Sequence, residues 1–220
     1  LENVRVEGNT SQDSGGGINS SGPLTMWHTT IANNQAAGDG GGIRSTGPGL
    51  VRIYSSTIAN NHSDLDGGGL VNVATGETWI INSTFSSNTS IEDGGGIHNE
   101  ATLTLLNNTI TQNTASGVGG GVSAAAGTTS VQNTLVAENA AVTNSPDVAG
   151  TFDTLGSNLI GSNVGAEVSF PVGNPLPNVN GDFVGDQATV LDPLLRDVLT
   201  DNGGPTHTHL LELGSPAIDT

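Results

Sequence analysis

The sequence has no cysteine and no lysine. The absence of cysteine excludes disulfides, thiolate catalysis and cysteine-based zinc sites. The chain has four basic residues, all arginine, against 21 acidic residues, and its formal net charge is -17 at pH 7. This charge excludes nucleic acid and anionic membrane surfaces as partners, because no row of cations is available to replace the counterions of phosphate groups.

Long apolar runs are also missing. No stretch approaches the roughly 20 apolar residues of a membrane span, so we predict no membrane insertion for this sequence. The first residues, Leu1–Val4, have no signal-peptide features and resemble the middle of a repeat. We therefore expect a mature or trimmed piece of a longer chain. An open first coil would allow end-to-end self-association, which builds filaments unless the contacts close.

Glycine is abundant, with 33 residues, and much of it occurs in triplets followed by an aliphatic residue. The five triplets begin 25, 27, 27 and 25 residues apart. They are Gly15–Gly17, Gly40–Gly42, Gly67–Gly69, Gly94–Gly96 and Gly119–Gly121. A repeat of this length cannot bury its apolar residues alone, so it has to stack on copies of itself.

An asparagine recurs at the same step, after a short Thr-Ile or similar segment. The column comprises Asn9, Asn34, Asn61, Asn88, Asn113 and Asn139. On stacked coils, each amide can donate to one neighbour and accept from the other, so we interpret these residues as a structural ladder. The glycines are expected at tight corners, where a Cβ atom would collide or φ is positive.

Each period contains three short β-type segments separated by Gly, Asn or Ser turns, and no window has a useful helical period. The sequence therefore predicts an all-β fold, a right-handed parallel β-helix with three faces and about six coils. We assign residues 1–144 to the repeats. Residues 145–220 are expected to form a last irregular coil and a C-terminal extension that caps the solenoid. Pro171, Pro175 and Pro177 indicate a long surface excursion within it.

The repeats resemble those of right-handed β-helix proteins related to polymorphic outer-membrane proteins and the pectate-lyase-like superfamily. The tail is similar to the choice-of-anchor Q module of bacterial surface proteins, which follows a β-helix and precedes an anchor. The residues that carry this second resemblance are Gly156–Gly161, Leu191–Leu195, Asp201–Thr206, Thr208–His209 and Gly214–Asp219. The resemblance implies an extracellular or cell-surface location in bacteria more clearly than it implies an activity.

Catalysis is the less favoured interpretation. Parallel β-helices include polysaccharide lyases and hydrolases, but Arg44 and Arg52 lie in no local cluster of aspartates. The hydrolase motifs Asn-Thr-Asp, Gly-His-Gly and Arg-x-Lys do not occur. Carboxylates from different coils can still pair in space. We therefore predict that the chain is not an enzyme and keep polysaccharide binding or cleavage as the alternative.

An aspartate precedes three of the glycine triplets: Asp39, Asp66 and Asp93. On neighbouring coils these carboxylates would lie about 5 Å apart, which costs roughly 3 kcal/mol per pair at an effective dielectric constant near 20. Two explanations remain open. Each aspartate accepts hydrogen bonds from backbone N–H groups of its turn, or a Ca²⁺ ion bridges two coils, with Asp64 or Glu92 as further ligands. No other cofactor is predicted.

A column of large apolar residues, Trp27, Tyr54, Ile81 and Leu106, precedes the Thr-Ile segments, and Val131 follows with one residue of slack. Strand alternation points it outward. We weigh three explanations: the strand bends inward, residues 145–220 cover the column, or it is an interaction surface, to which Trp79 beside Arg52 adds a platform for sugar stacking. The overall prediction is a secreted structural or adhesive protein, whose partner is a second copy or a glycan.

Overall fold

The computed structural model describes residues 1–73, 75–173 and 177–218. Within these residues the chain forms 26 strands and no helix. All strands of the four sheets pair in parallel with strands about one repeat away, which confirms the predicted parallel β-helix. One sheet contains eight strands, so the solenoid has about seven turns rather than six.

Four ladders of strands run along the solenoid. Sheet A contains β4 (Leu24–Trp27), β8 (Val51–Tyr54), β12 (Glu77–Ile81), β16 (Thr102–Leu106), β20 (Thr128–Gln132) and β24 (Asp153–Thr154). Sheet B contains β1 (Arg5–Glu7), β5 (Thr30–Ala32), β9 (Thr57–Ala59), β13 (Thr84–Ser86), β17 (Thr109–Thr111), β21 (Leu135–Ala137), β25 (Leu159–Ile160) and β26 (Phe183–Val184).

The other two ladders complete each coil. Sheet C contains β2 (Thr10–Ser11), β6 (Gln35–Ala36), β10 (His62–Ser63), β14 (Thr89–Ser90), β18 (Thr114–Ala115) and β22 (Ala140–Ala141). Sheet D contains β3 (Ile18–Ser20), β7 (Ile43–Ser45), β11 (Leu70–Asn72), β15 (Ile97–Asn99), β19 (Val122–Ala124) and β23 (Val148–Gly150). The three-faced prediction fits, because the strands of sheet C are only two residues long and form a short additional ladder.

Aliphatic residues stack in register inside the solenoid. In sheet B, Ile31, Ile58, Phe85 and Ile110 align from coil to coil and are fully buried. Met26, Ile53, Ile80 and Leu105 form the equivalent column of sheet A. Val131 aligns with Leu105 and belongs to this inward column. The prediction that placed Val131 in the outward column was wrong, and Gln132 occupies that position. The reason is that this coil has one more residue than the coil before it, inserted between β19 and β20.

The strands of sheet B lie between two corners that share one design. A residue with positive φ ends the preceding segment, as at Ser55 (φ 46°) before sheet B and Asn60 (φ 56°) after it. Asn and Ser tolerate this left-handed conformation better than most residues. The residue that follows points its side chain into the stack, as Ser56 and Asn61 do. Corners of this kind recur along the chain, which is why the period is so regular.

The glycine triplets make the corner before sheet D. Gly40 has φ of +68°, a conformation that favours glycine. A Cβ atom on Gly41 would lie 2.6 Å from the carbonyl oxygen of Gly68, and one on Gly42 would lie 2.6 Å from that of Gly69. The triplet therefore serves both of its predicted purposes, since one residue supplies the backbone conformation and two allow close stacking.

The C-terminal region closes one end of the core and then returns along the side. Ala166 and Phe170 are buried in the main core, where the Phe170 ring lies 5.3 Å from that of Phe152. The expected surface excursion is interrupted by β26, which extends sheet B. Leu191–Leu199 forms no helix, and Leu195 makes an isolated antiparallel bridge with Leu211. Pro175 and Asp219 lie outside the described residues.

In the described part of the chain there is no helix of the length and apolar character that a membrane crossing requires.

Candidate binding surface and metal cluster

The asparagine column forms a continuous hydrogen-bonded ladder between sheets B and C. The Nδ2 group of each residue donates to the Oδ1 atom of the next, at 2.9 Å from Asn9 to Asn34 and 3.0 Å from Asn34 to Asn61. Asn61, Asn88, Asn113 and Asn139 continue the chain at 2.9 Å. The same Oδ1 atoms also accept backbone N–H groups of the preceding coil. The side chains from Asn34 to Asn139 are fully engaged within the structure and are not free to bind a ligand. Asn9, at the start of the ladder, is exposed.

A second ladder lies at the corner between sheets A and B, and sequence reasoning missed it. Here the residue type varies, so no letter recurs at a fixed step. Each backbone N–H donates to the side-chain oxygen of the next coil, for example from Ser56 to Ser83 at 3.2 Å and from Ser83 to Asn108 at 2.9 Å. The members are Thr29, Ser56, Ser83, Asn108, Thr134, Asn158 and Asp182. The signal that could have found it is the polar residue directly after each left-handed corner.

Both ladders end at a buried aspartate. Asp147 accepts the N–H and Nδ2 groups of Asn139 at 3.0 and 2.9 Å, and Asp182 does the same for Asn158. A carboxylate suits this position because it only accepts hydrogen bonds, whereas an amide would leave an unused donor. Burial raises the pKa of Asp147 to about 6, although hydrogen bonds from Asn139 and Ser162 act against this rise.

The predicted apolar column points outward from sheet A and is partly bare. Trp27 is 44% exposed and stacks on Tyr54, with ring centroids 4.1 Å apart and an angle of 25° between the planes. Ile81 and Leu106 continue the column in the same register and are partly exposed. We call Trp27, Tyr54, Ile81 and Leu106 the aromatic stripe. The strand does not bend inward at this column.

Trp79 extends the apolar surface on the neighbouring outward row of sheet A. It is 39% exposed and pairs in register with Arg52, as the alternation of the strands predicts. Its Nε1 atom donates to Glu77 Oε2 at 3.1 Å, which fixes the ring orientation. Two tryptophans, a tyrosine and an arginine therefore lie on one face. Aromatic faces of this kind are flat and apolar and can pack against the C–H face of a sugar ring.

The C-terminal segment 191–218, which we call the tail, packs on the outer face of sheet B. Leu195 contacts Leu135, Ala137 and Leu159 in a small separate core. Thr57 Oγ1 donates to the carbonyl of His207 at 2.7 Å, and Gln112 Nε2 donates to that of Asp197 at 3.0 Å. The tail thus covers sheet B and leaves Trp27 and Trp79 exposed.

His209 makes a buried polar contact between the tail and sheet B. Its Nε2 atom lies 2.9 Å from Ser86 Oγ, and its Nδ1 atom lies 2.6 Å from the carbonyl oxygen of Arg196. Both ring nitrogens are therefore satisfied by structural partners. His207 is exposed and lies in no cluster of metal-ligating side chains among the described residues. Beside these contacts, a cavity of about 610 Å³ lies between the tail and sheet B, and its lining includes Asn108, Asn133, Phe183 and Leu211.

The predicted aspartate column divides into two parts. The Arg44 Nε atom lies 3.6 Å from Asp39 Oδ2. Asp66 Oδ1 accepts the backbone N–H of Asp93 at 2.8 Å, and Asp93 Oδ1 accepts that of Val118 at 2.8 Å. Each of these carboxylates therefore binds the next coil rather than its own turn. Burial raises the pKa of Asp66, and the Asp93 N–H bond and His98 oppose this rise.

Asp66 and Asp93 come together with a residue that sequence reasoning did not select. One ligand atom from each of Asp66, Asp93 and His98 lies within 4.8 Å of the other two. Asp39 is not part of this group, and neither are the suggested further ligands Asp64 and Glu92. His98 follows Asp93 by five residues in the sequence. The glycine triplet between them turns the chain, and this turn brings His98 back beside the aspartates. The same relation connects Arg44 to Asp39.

Two segments of the chain, residues 28–46 and 82–100, match the repeat of the Chlamydia polymorphic membrane protein family. Each match begins at a left-handed corner, crosses sheets B and C and a glycine triplet, and ends just after a strand of sheet D. No curated protein and no solved structure matches the chain. The fold and these repeats support a β-helix surface protein, located at the outer membrane or the cell surface.

Proposed function

We propose that this chain is a non-catalytic adhesive protein of the bacterial cell surface that binds a neutral polysaccharide through the outer face of sheet A. The observation that carries this proposal is the pair of stacked rings, Trp27 and Tyr54, exposed beside Trp79 and Arg52. Large exposed apolar patches rimmed by polar groups are typical of binding surfaces.

Charge favours a neutral glycan over an acidic one. The net charge of -17 repels polyuronates and sulfated chains over the whole surface. A neutral sugar ring makes its contacts through C–H groups and hydroxyls, so the aromatic faces and the Arg52 guanidinium supply suitable partners. Arg52 is partly exposed, as this role requires.

The tail has a separate role in this proposal. Its motifs are similar to the choice-of-anchor Q module, and it is held to sheet B by apolar contacts and hydrogen bonds. We assign it the role of joining the β-helix to an anchoring segment. An adhesin held in this way would present sheet A, the face that the tail leaves bare.

A polysaccharide array with immobilised neutral and acidic glycans tests the proposal. The wild type should bind at least one neutral polysaccharide and leave its chain length unchanged. A Trp27→Ala, Tyr54→Ala double variant should lose most of this binding. The matched control is a Val168→Ala, Leu213→Ala variant, since these apolar residues are 97% and 98% exposed outside the stripe.

Three results would contradict this function. Equal loss in the control variant would mean that binding is nonspecific, and binding of acidic glycans alone would contradict the charge argument. Shortening of the polysaccharide would show the lyase or hydrolase alternative. Electron microscopy at several protein concentrations distinguishes glycan binding from self-association. Long fibres would show that the partner is a second copy joined end to end rather than a glycan.

A further inference from the structure

We propose that Asp66, Asp93 and His98 form a binding site for a divalent first-row transition metal ion, with Zn²⁺ the strongest binder tested. The site lies between two coils, at the entry to sheet D, and is separate from the aromatic stripe. It differs from the calcium hypothesis in its ligands, because it omits Asp39 and includes an imidazole. This inference does not depend on the adhesive function.

The imidazole of His98 is the first observation that points to a ligand. The residue is only 4% exposed, and its Nδ1 atom is buried without a hydrogen-bond partner among the described residues. This atom lies 3.8 Å from Asp66 Oδ1, beyond hydrogen-bonding distance. A buried polar atom without a partner destabilises the fold, because it has lost its hydrogen bond to water. A bound cation between the imidazole and the carboxylates would remove this penalty.

The other ring nitrogen of His98 has the partner that a metal-binding histidine usually has. Its Nε2 atom lies 3.4 Å from Glu100 Oε1. A carboxylate at this position favours the tautomer with hydrogen on Nε2, which leaves the Nδ1 lone pair directed at Asp66. In this tautomer, lone pairs of nitrogen and oxygen face each other, and a cation between them, like a proton or a donor group, relieves the repulsion.

The two aspartates are fixed by the backbone of the next coil. Their bonds to the N–H groups of Asp93 and Val118 hold both carboxylates in place and leave further oxygen lone pairs free. The side chain of Asp66 is 26% exposed, so an ion can reach the site from solvent and keep water ligands. Each carboxylate is thus anchored through one oxygen and not locked in orientation, and the site is open to solvent at Asp66.

The same positions in neighbouring coils do not repeat the cluster. In register with His98, the chain has Arg44 two coils before, Val71 one coil before and Ser123 one coil after. Arg44 supplies its own positive charge to Asp39 at 3.6 Å. Asp66 and Asp93 have no arginine partner among the described residues. The pattern therefore leaves one pair of aspartates whose only nearby cationic group would be an imidazolium or a metal ion.

The ligand types select a transition metal. An imidazole nitrogen and carboxylate oxygens suit Zn²⁺ and its neighbours, whereas Ca²⁺ prefers six to eight oxygen ligands. Ligand atoms around a tetrahedral Zn²⁺ ion lie about 3.4 Å apart. The cluster spans at most 4.8 Å, so modest side-chain rotations bring the three atoms to an ion.

Isothermal titration of the EDTA-treated chain with Zn²⁺ tests the site, with Ca²⁺ titrated in parallel. We expect one Zn²⁺ per chain and weaker binding of Ca²⁺. His98→Gln should weaken Zn²⁺ binding by at least about tenfold, and Glu100→Ala by about tenfold through the orientation of the ring. Asp66→Asn keeps the acceptor for the Asp93 N–H group and should also weaken binding. A second readout is the imidazole ¹⁵N NMR shift, in which Nδ1 of His98 should respond to Zn²⁺.

The matched control is His62→Gln. His62 also lies beside an aspartate, with Nε2 3.0 Å from Asp64 Oδ1, but its Nδ1 atom already contacts Thr89 Oγ1 at 2.8 Å. Zn²⁺ binding should be unchanged in this variant. Equal losses in the two histidine variants, full Zn²⁺ affinity in folded His98→Gln, or no stoichiometric binding by the wild type would each overturn the proposal. Stronger binding of Ca²⁺ than of Zn²⁺ would instead support the Asp39, Asp66 and Asp93 site. Circular dichroism shows which variants are folded.

Discussion

The outer faces of sheets A and B differ, although the same coils build both. On sheet B, the outward side chains Thr57, Thr84 and Ser86 are at most 4% exposed. On sheet A, Trp27 and Trp79 are 44% and 39% exposed. The small hydroxyl side chains are therefore covered, and the large aromatic ones are bare. Size and apolar character alone do not decide which face of a solenoid is buried.

The difference comes from the tail. Hydroxyl groups on sheet B offer hydrogen-bond partners that a returning segment can use, as His207 and His209 do. Leu135 and Leu159 on the same sheet add apolar contacts with Leu195 of the tail. The tail therefore follows sheet B, and Trp27 and Trp79 on sheet A remain exposed. Four substitutions test this contrast. They change Asn108 at the corner between sheets A and B, Asp147 at the end of the asparagine ladder, His209 on the covered face and Trp27 on the exposed face.

Replacing Asn108 should have the largest effect, because this residue lies at the corner between sheets A and B. Its Oδ1 atom accepts the Ser83 N–H group at 2.9 Å, and its Nδ2 group donates to the carbonyl of Ile80 at 2.8 Å. Asn108→Leu leaves both partners buried and unpaired, which should lower the free energy of unfolding by about 2–5 kcal/mol. Chemical denaturation measures the loss. Asn19→Leu, on an exposed position of β3, should cost less than about 0.5 kcal/mol.

Asp147, where the asparagine ladder ends, should make stability depend on pH. Its pKa is raised from 3.8 to about 6, so the folded chain binds the proton more tightly than the unfolded chain does. Stability therefore falls as pH rises from about 4 to 6, by about 3 kcal/mol for this group, and is constant above about 7. The difference in unfolding free energy between wild type and Asp147→Asn should change by this amount. A pH-independent difference for Asp147→Asn would contradict the assignment.

His209 tests the covered face alone. His209→Ala removes the contacts with Ser86 and Arg196 and should cost about 1–3 kcal/mol, mostly as local opening of the tail. Hydrogen exchange should become faster in residues 191–218 and on the outer face of sheet B, while the solenoid core stays protected. His207→Ala is the control, because that side chain is exposed and only its carbonyl contacts Thr57. If exchange rises across all sheets, the tail and the coils form one cooperative unit.

Trp27 tests the bare face and should have the smallest effect on stability. Trp27→Ala loses a stacked pair on the surface, worth about 0.5–1.5 kcal/mol, and leaves the inward column intact. Thermal unfolding should therefore change by only a few degrees. A loss of several kcal/mol would show that the aromatic stripe stabilises the fold rather than forming a free surface.

The repeating part of the fold was readable because each corner imposes its own residue at a fixed step. Glycine triplets and asparagines mark corners with a special backbone conformation or hydrogen-bond pattern. Their spacing predicts parallel coils and the register of the inward columns as far as Leu105. The aromatic stripe followed from the same alternation. The coil count was one too low, because β26 adds a strand to sheet B in a segment without the repeat pattern.

The candidate sites were less predictable, because they depend on contacts between distant segments. The ladder at the corner between sheets A and B uses Ser, Thr, Asn and Asp interchangeably, so it has no fixed letter. Histidine occupies this position of the repeat in one coil, at His98, so no repeated letter marks it. Its relevance is visible only in the structure, where Asp66 from the previous coil lies beside it. The path of the tail was also hidden, since its extended backbone gives no periodicity and its partners lie about 100 residues or more earlier in several cases.

The most direct test of the adhesive surface uses the two tryptophans as probes, since both lie on the outer face of sheet A. The chain has no others. Acrylamide quenching of tryptophan fluorescence would be measured with and without the bound neutral polysaccharide. The bound glycan should protect both tryptophans and lower the quenching constant. Saturating glycan with unchanged quenching would place the binding site elsewhere, for instance in the cavity beneath the tail, and would contradict the account.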